Sequence, residues 1–308
     1  MFEGIKVLVI GDVMLDKYIL GEVSRISPEA PVPIVLSKKH KSTLGGAANV
    51  ANNLRGLGAT PILCGVVGAD TDAGEIMSLL DSQDVSIEGI FVDKYKPTTT
   101  KTRVTGNNQQ IVRIDQENTE SISPSIRKTM GDFIKRTLPK VQGVIISDYA
   151  KGVVDSSTVM DIKRLNSDII IAVDPKVSNF KWYKHATLLT PNIHEAAGFF
   201  NTTIRSDKTL KYIASRIMSQ LKCKYLLITK GADGMTLFEE DCFTDIMTEA
   251  KSVYDVSGAG DTVISVFTLA LIAGMNPLSA TELANKAGGI VVGEMGTSIV
   301  TIEELMSE

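Results

Sequence analysis

The sequence predicts an α/β protein with a mainly parallel sheet, helices on both of its faces, and a small β-sheet lid set apart from the main layer. Three observations predict it. From residue 123 onward, short apolar runs alternate with helical patterns at the spacing of strand–helix–strand units. Residues 13–36 and 85–115 carry strand patterns without a helix. The 308 residues are 44% hydrophobic and 22% charged, which supplies a large core and excludes disorder as the main state.

Residues 5–10 form a compact apolar run ending at Gly11, which suits a buried strand. Residues 13–36 place Tyr18, Ile19, Val23, Val32, Ile34 and Val35 among Gly21, Pro28, Pro31 and Pro33. Prolines this dense exclude a helix and suit edge strands or a loop-rich flap. A helix is predicted over 46–57, with Ala47, Val50, Ala51 and Leu54 at helical spacing and Gly56 and Gly58 as stop signals. A strand at 62–67 and a helix at 71–80 with acidic residues near its start come next. Residues 87–92, 98–104 and 110–114 read as three short strands, with a turn at Gly106-Asn107-Asn108 between the last two. They are expected to pair with 13–36 as the lid. Then follow helix 124–138, strand 141–147, helix 156–165, strands 169–173 and 187–189, helices 193–200 and 207–221, and strand 225–229. A hairpin over 235–238 and 242–248 and two apolar helices, 258–273 and 279–294, close the chain. Ligands in such sheets bind at the carboxyl ends of the strands.

A formal charge of −4, from 32 Lys and Arg against 36 Asp and Glu, and the lack of a long basic run exclude a general nucleic-acid or anionic-membrane binder. A small anionic ligand held by a few local cations remains open. Cys64, Cys223 and Cys242 are odd in number and widely spaced, which argues against a disulfide framework or a zinc site and for free thiols in a reducing compartment. His40, His185 and His194 have no metal-ligand spacing. The start lacks a signal-peptide pattern, and the longest apolar stretch, near 263–273, is too short to span a bilayer. A cytoplasmic protein is expected.

The strongest motif is Asp255-Val256-Ser257-Gly258-Ala259-Gly260-Asp261, directly before an apolar helix. Small residues let the backbone approach a ligand, and the N–H groups and dipole of a helix start favour an anion. Asp261 falls in the first turn, where a carboxylate can take a proton from an attacking hydroxyl while the turn holds a transferring phosphoryl group. The alternative is a helix cap beside a plain glycine turn. The P-loop pattern is absent. A second motif, Gly45-Gly46-Ala47-Ala48-Asn49, opens the helix at 46–57; its glycines let the backbone touch a polyol, and Asn49 offers hydroxyls a donor and an acceptor.

Together these two motifs resemble the signatures of the ribokinase (phosphofructokinase B) family of sugar kinases. Asn192-Ile193-His194-Glu195 is similar to the family's NxxE motif, Thr229-Lys230-Gly231-Ala232-Asp233-Gly234 to the strand end lining its nucleotide site, and Gly11-Asp12-Val13-Met14-Leu15-Asp16 to its first strand. The resemblance covers nearly the whole chain. Within the family, the runs 11–18, 24–33 and 147–152, with Asn108-Gln109-Gln110 and Asp174-Pro175-Lys176, resemble the D-glycero-β-D-manno-heptose 7-phosphate kinases. Those enzymes use ATP to phosphorylate the 1-hydroxyl of the sugar phosphate.

The resemblance implies a ribokinase-like fold and a division of labour. Asp261 acts as base beside the Gly258, Ala259 and Gly260 amides. Asp12, Asp16, Gly45, Gly46, Asn49 and Asp148 bind sugar. Arg25, Lys101, Arg103 and Lys176 meet phosphate charge, Arg being suited to bidentate contacts. Thr229, Lys230, Gly231, Gly234 and Asn285 line the ATP site, and Asn192 and Glu195, one helical turn apart, hold Mg²⁺ through its water shell. A K⁺ ion near Asp255 and Gly296-Thr297-Ser298, and a homodimer through the lid, are further expectations. The closest rival is a kinase for fructose 6-phosphate or tagatose 6-phosphate. A non-catalytic sugar sensor has no use for the Asp261, Asn192 and Glu195 set, and an oxidoreductase lacks its GxGxxG run after the first strand. Some heptose 7-phosphate kinases are fused to an adenylyltransferase with an HxGH motif. No HxGH occurs in these 308 residues, so the kinase part alone is expected.

Overall fold

The computed structural model of the chain describes residues 1–107, 109–240, 242–249, 256–293, 296 and 298–307. The strands are β1 (Lys6–Gly11), β2 (Val13–Ile26), β3 (Pro33–Gly46), β4 (Thr60–Val67), β5 (Ile90–Val92), β6 (Thr99–Gly106), β7 (Gln109–Gln116), β8 (Gly143–Ser147), β9 (Ile170–Asp174), β10 (Leu188–Leu189), β11 (Tyr225–Thr229), β12 (Met235–Glu239) and β13 (Cys242–Ile246). The helices are α1 (Ala47–Gly56), α2 (Thr71–Ser82), α3 (Pro124–Thr137), α4 (Thr158–Leu165), α5 (Ile193–Gly198), α6 (Asp207–Leu221), α7 (Ala259–Ile272), α8 (Pro277–Val291) and α9 (Ile302–Met306).

Among the described residues the main sheet holds nine strands in the order β13-β12-β11-β10-β9-β8-β1-β4-β5. It is parallel from β5 to β11 and antiparallel at β12 and β13. Its central strands are continuous apolar runs because both faces are covered. Alternate side chains go to opposite faces. Val7, Val9, Ile145 and Leu227 enter one core with residues of α1, α2, α7 and α8, while Leu8, Ile10, Ile146 and Ile228 enter another with residues of α3, α4 and α6. Each large apolar side chain so buried contributes about 1.5–3 kcal/mol. Helix α7 is apolar all round and buried throughout residues 261–270, as a helix wedged between the sheet and other helices must be.

The second sheet, β3-β2-β6-β7, stands where the lid is expected and keeps that label. Only Asp12 separates β1 from β2, and β3 ends on Gly46, the N-cap of α1. Gly46 has φ 56° and ψ −134°, a conformation that needs glycine. Ala47 N–H donates to the Asp12 carbonyl at 3.0 Å, which ties the lid's exit to its entry.

Three expectations change. Residues 90–92 join the main sheet beside β4, not the lid. The lid instead takes in residues 37–46, because β3 runs on to Gly46 rather than stopping at 36. Its Lys38-Lys39-His40-Lys41-Ser42 stretch lacks apolar alternation because it is an edge strand largely exposed to water. Helix α9 has no counterpart in the sequence reading, although Thr301 and Glu304 form a capping box at its start. Asn108 of the expected turn lies outside the described residues.

Candidate active site

Asp261 sits in the first turn of α7, 2% exposed, with Gly258 as the N-cap at φ 83°. Asn49 Nδ2, from α1, donates to its Oδ2 at 2.7 Å, and the Tyr149 hydroxyl, beyond the end of β8, donates to its Oδ1 at 3.2 Å. A second tier fixes this arrangement. Thr262 Oγ1 donates to Asn53 Oδ1 at 2.8 Å, and Asn53 Nδ2 donates to the Asn49 carbonyl at 2.9 Å. Burial pushes the Asp261 carboxyl up to about 7, the Asp16 charge adds to the rise, and the Asn49 and Tyr149 hydrogen bonds and Lys101 oppose it. A carboxyl poised there suits proton exchange near neutral pH. The amide side of the Gly258, Ala259 and Gly260 turn is the start of a 14-residue helix, where N–H groups and dipole favour an anion.

On one side of Asp261 stands the base of the lid. Asp16, 5% exposed, accepts a hydrogen bond from Arg103 Nη1. A Cβ on Gly45 would run into the Asp16 carboxylate, so glycine permits the close approach of β3 to this group. Thr43 is paired with Asp16, and its buried Oγ1 has no hydrogen-bond partner among the described residues; neither has Asn49 Oδ1. Two orphaned acceptors beside a carboxylate fit a polyhydroxyl ligand. Lys101 Nζ lies 5.0 Å from the centre of the Tyr149 ring, and burial pushes its ammonium down while Asp16 opposes the shift.

On the other side lie groups at the ends of β9 and β11. Asn192 caps α5, accepting from His194 N–H at 3.0 Å and Glu195 N–H at 2.9 Å, while Glu195 accepts from Asn192 N–H at 3.1 Å. Thr229 N–H donates to the Pro191 carbonyl at 3.1 Å and so joins the end of β11 to this helix start. Lys176 Nζ is 4.0 Å from Glu195 Oε1, which places Lys176 on this side rather than with the sugar-binding set. Burial raises the Glu195 carboxyl, and it raises Asp174 well above the usual carboxylate range, with Glu195 and Asp261 adding to the effect on Asp174. Lys230 pairs with Asp245 at 2.8 Å, Gly231 and Gly234 take positive φ between β11 and β12, and Asn285 Nδ2 donates to the Met247 carbonyl at 2.7 Å.

Among the described residues no group of three or more His, Cys, Asp or Glu is placed to cage a metal ion. Asn192 Oδ1 is taken up by the α5 cap, which leaves Glu195 and the nearby Asp174 carboxyl to meet Mg²⁺, an ion that keeps several of its waters. The expected K⁺ contacts Asp255 and Thr297 lie outside the described residues.

Several expected sugar contacts do other work. Asp12 accepts from the Tyr149, Lys151 and Val153 amides at 2.8, 3.0 and 3.3 Å. It shapes the loop that carries Tyr149, and burial with the nearby Asp148 charge pushes it up to about 6. Asp148 accepts from Ala150 N–H, Asn179 Nδ2 and the Tyr183 hydroxyl at 2.7–2.9 Å, so its carboxylate is consumed inside the protein. A Cβ on Gly46 would strike the Asp12 carbonyl, which makes its role a packing one. Arg25 is exposed and nine residues beyond Asp16 on β2, roughly 30 Å at strand rise; this chain does not bring it to the site. Residues the sequence reading passed over are Tyr149 and Asp174, both inside motifs quoted for their resemblance. Cys64 and Cys223 are buried, their thiols pushed up to about 12, and Cys242 is exposed.

A family model described as pfkB family carbohydrate kinase matches residues 5–304. The protein named Bifunctional protein HldE from Desulfatibacillum aliphaticivorans is 43% identical over 312 residues, covering 100% of this chain and 64% of its own length. Its namesake from Helicobacter pylori strain G27 is 40% identical over 303 residues, covering 97% of this chain and 65% of its own. The chain thus spans just under two thirds of these relatives. Among solved structures, phosphofructokinase-2 from Escherichia coli in complex with substrates and products superposes with a TM-score of 0.80 at 16% identity, covering 98% of this chain and 97% of that one. Arabidopsis thaliana ribokinase complexed with ribose and ATP gives 0.76 at 17% identity, covering 99% of this chain and 100% of that one. No helix among the described residues is long and apolar enough to cross a membrane.

Proposed function

The chain belongs to the pfkB family of carbohydrate kinases, and from that premise we propose that it phosphorylates D-glycero-β-D-manno-heptose 7-phosphate on the 1-hydroxyl, using ATP and yielding the 1,7-bisphosphate and ADP. The observation that carries the chemistry is Asp261, buried at the start of α7 with both carboxylate oxygens held in place. The heptose-kinase resemblance of the runs 11–18, 24–33 and 147–152, and relatives above 39% identity named HldE, support the choice of sugar.

In this reading the sugar lies between Asp16 and Asn49, with its 1-hydroxyl against Asp261. The hydroxyl oxygen attacks the γ-phosphorus of ATP, its proton passes to the Asp261 carboxylate, and the bond from the γ-phosphorus to the β–γ bridging oxygen breaks to release ADP. The amides at the start of α7 face the charge on the moving phosphoryl group. Glu195 and Asp174 would hold Mg²⁺ through its waters, with Asn192 fixing Glu195 at the start of α5, and the ion when bound would offset charge on the nucleotide phosphates. The lid covers the acceptor and keeps out water, a competing nucleophile. Two chains pair through their lids.

The test is an ADP-release assay with heptose 7-phosphate, the unphosphorylated heptose, fructose 6-phosphate, tagatose 6-phosphate and ribose. The highest kcat/KM is expected with heptose 7-phosphate. A preference for either hexose phosphate would move the chain to the rival sugar-phosphate reading, and a preference for an unphosphorylated sugar would overturn both.

A further inference from the structure

The loop after β8 lends the Tyr149 hydroxyl to Asp261, and its next residues are bonded into several other parts of the chain. Ala150 has φ 56° and Gly152 has φ 87°. An alanine in the left-handed region persists only where its surroundings enforce it. From one side Asp12 accepts from the Tyr149, Lys151 and Val153 amides. From the other side two cations take the loop's carbonyls. Arg127 of α3 donates to the Gly152 and Val153 carbonyls at 3.0 and 3.3 Å. Lys96 Nζ donates to the Lys151 carbonyl at 2.6 Å and also to the Glu120 carbonyl. Lys96 is half-buried and lines one small cavity with Asp12, Lys151 and Val153. Burial pushes its ammonium down, and the charges of Asp12, Asp93 and Glu120 oppose that shift.

These contacts fall at the joints of the lid. Asp12 is the entry to β2, Lys96 lies three residues before β6, and Glu117 directly follows β7 and pairs with Lys151 Nζ at 2.7 Å. A Cβ on Gly152 would strike the Glu120 carbonyl, and Ile122 N–H donates to the Gly152 carbonyl at 3.2 Å, so the chain leaving β7 lies directly on the loop. We propose that Lys96 is a positioning residue for phosphoryl transfer: by drawing the Lys151 and Glu120 carbonyls to one ammonium, it fixes the turn that keeps the Tyr149 hydroxyl on Asp261. The role rests on Asp261 acting as the base of a sugar kinase. An ammonium has three donors and no acceptor, which suits two carbonyls brought together. Because Lys96 Nζ is committed to backbone carbonyls, it acts through the loop and not on a substrate. Asp12 and Arg127 bind the same loop, but Lys96 alone of the three joins it to the chain between the two halves of the lid.

The test measures kcat and KM in wild type, Lys96→Met, Lys96→Arg, Tyr149→Phe and the double variant of Lys96→Met with Tyr149→Phe, using whichever sugar the ADP-release panel favours. Lys96→Met should lower kcat about tenfold, the effect of one charged hydrogen bond, with KM for ATP close to the wild-type value. Lys96→Arg keeps the charge and the donors and should recover most of the loss. The double variant should be hardly slower than the slower single one, since both changes remove the same placement. Amide hydrogen exchange at Tyr149, Lys151 and Val153 should quicken in Lys96→Met. A wild-type kcat in Lys96→Met, losses that multiply in the double variant, or unchanged exchange in the loop overturns the proposal and leaves the kinase reading in place. A wild type that releases no ADP with any sugar of the panel removes the kinase reading and this role with it. If Lys96→Met fails to fold, Lys96→Gln, uncharged and one atom shorter, replaces it in the same comparison.

Discussion

Asp261 is a carboxyl that folding has made reluctant to ionise, and that reluctance is what a proton acceptor near neutral pH requires. Asp261→Asn keeps a hydrogen-bonding oxygen for Asn49 and an amide for Tyr149, so the chain should fold while kcat drops at least about 10²-fold; turnover near wild type would remove the base assignment. The same group sets the pH profile. It must be charged to accept a proton, so kcat should rise with pH through about 7 and fall away below it. Its effect on stability has the opposite sense. The folded value lies above the unfolded one, so its contribution is full below about 4 and is lost as pH rises through 7. Urea melts should accordingly find Asp261→Asn gaining on wild type between pH 5 and pH 8.

At the scale of elements, the loop after β8 depends on one carboxylate in the gap between β1 and β2. Asp12→Ala leaves the Tyr149, Lys151 and Val153 amides without their acceptor, at a cost of about 2 kcal/mol or more. The urea midpoint should fall with an unchanged slope, and kcat should fall with it because Tyr149 loses its anchor. Asp12 also marks the limit of what the sequence discloses. Strand–helix alternation, the glycine-rich starts of α1 and α7, and the Asn192–Glu195 pair are local patterns, and each lies where its spacing predicts. A carboxylate at a strand end looks the same in sequence whether sugar hydroxyls or backbone amides will surround it. Asp16 and Asp12 are therefore four residues apart and alike in sequence, yet one faces the site and the other is enclosed by a loop some 140 residues away. The small sheet's register is hidden for a related reason: Lys41, Tyr18, Arg103 and Arg113 come from separate segments that only strand pairing aligns.

At the scale of the whole molecule, the face of the lid opposite the Asp16 row carries an apolar patch beside Lys17 and Thr102. Ile19, Val104 and Val112 are paired in one row, and Ile114 projects beside them in the next, 57% exposed. This is the surface on which two lids pair in the proposed dimer. Ile114→Lys should halve the mass measured by light scattering; a mass already that of one chain in wild type would remove the dimer. The lid's attachment has a mechanical consequence. With Asp12 alone between β1 and β2, the ribbon leaves the main sheet almost unbroken and returns directly into α1. Any movement of this ribbon against the main sheet would therefore have to bend strand backbone, since no slack linker joins the two.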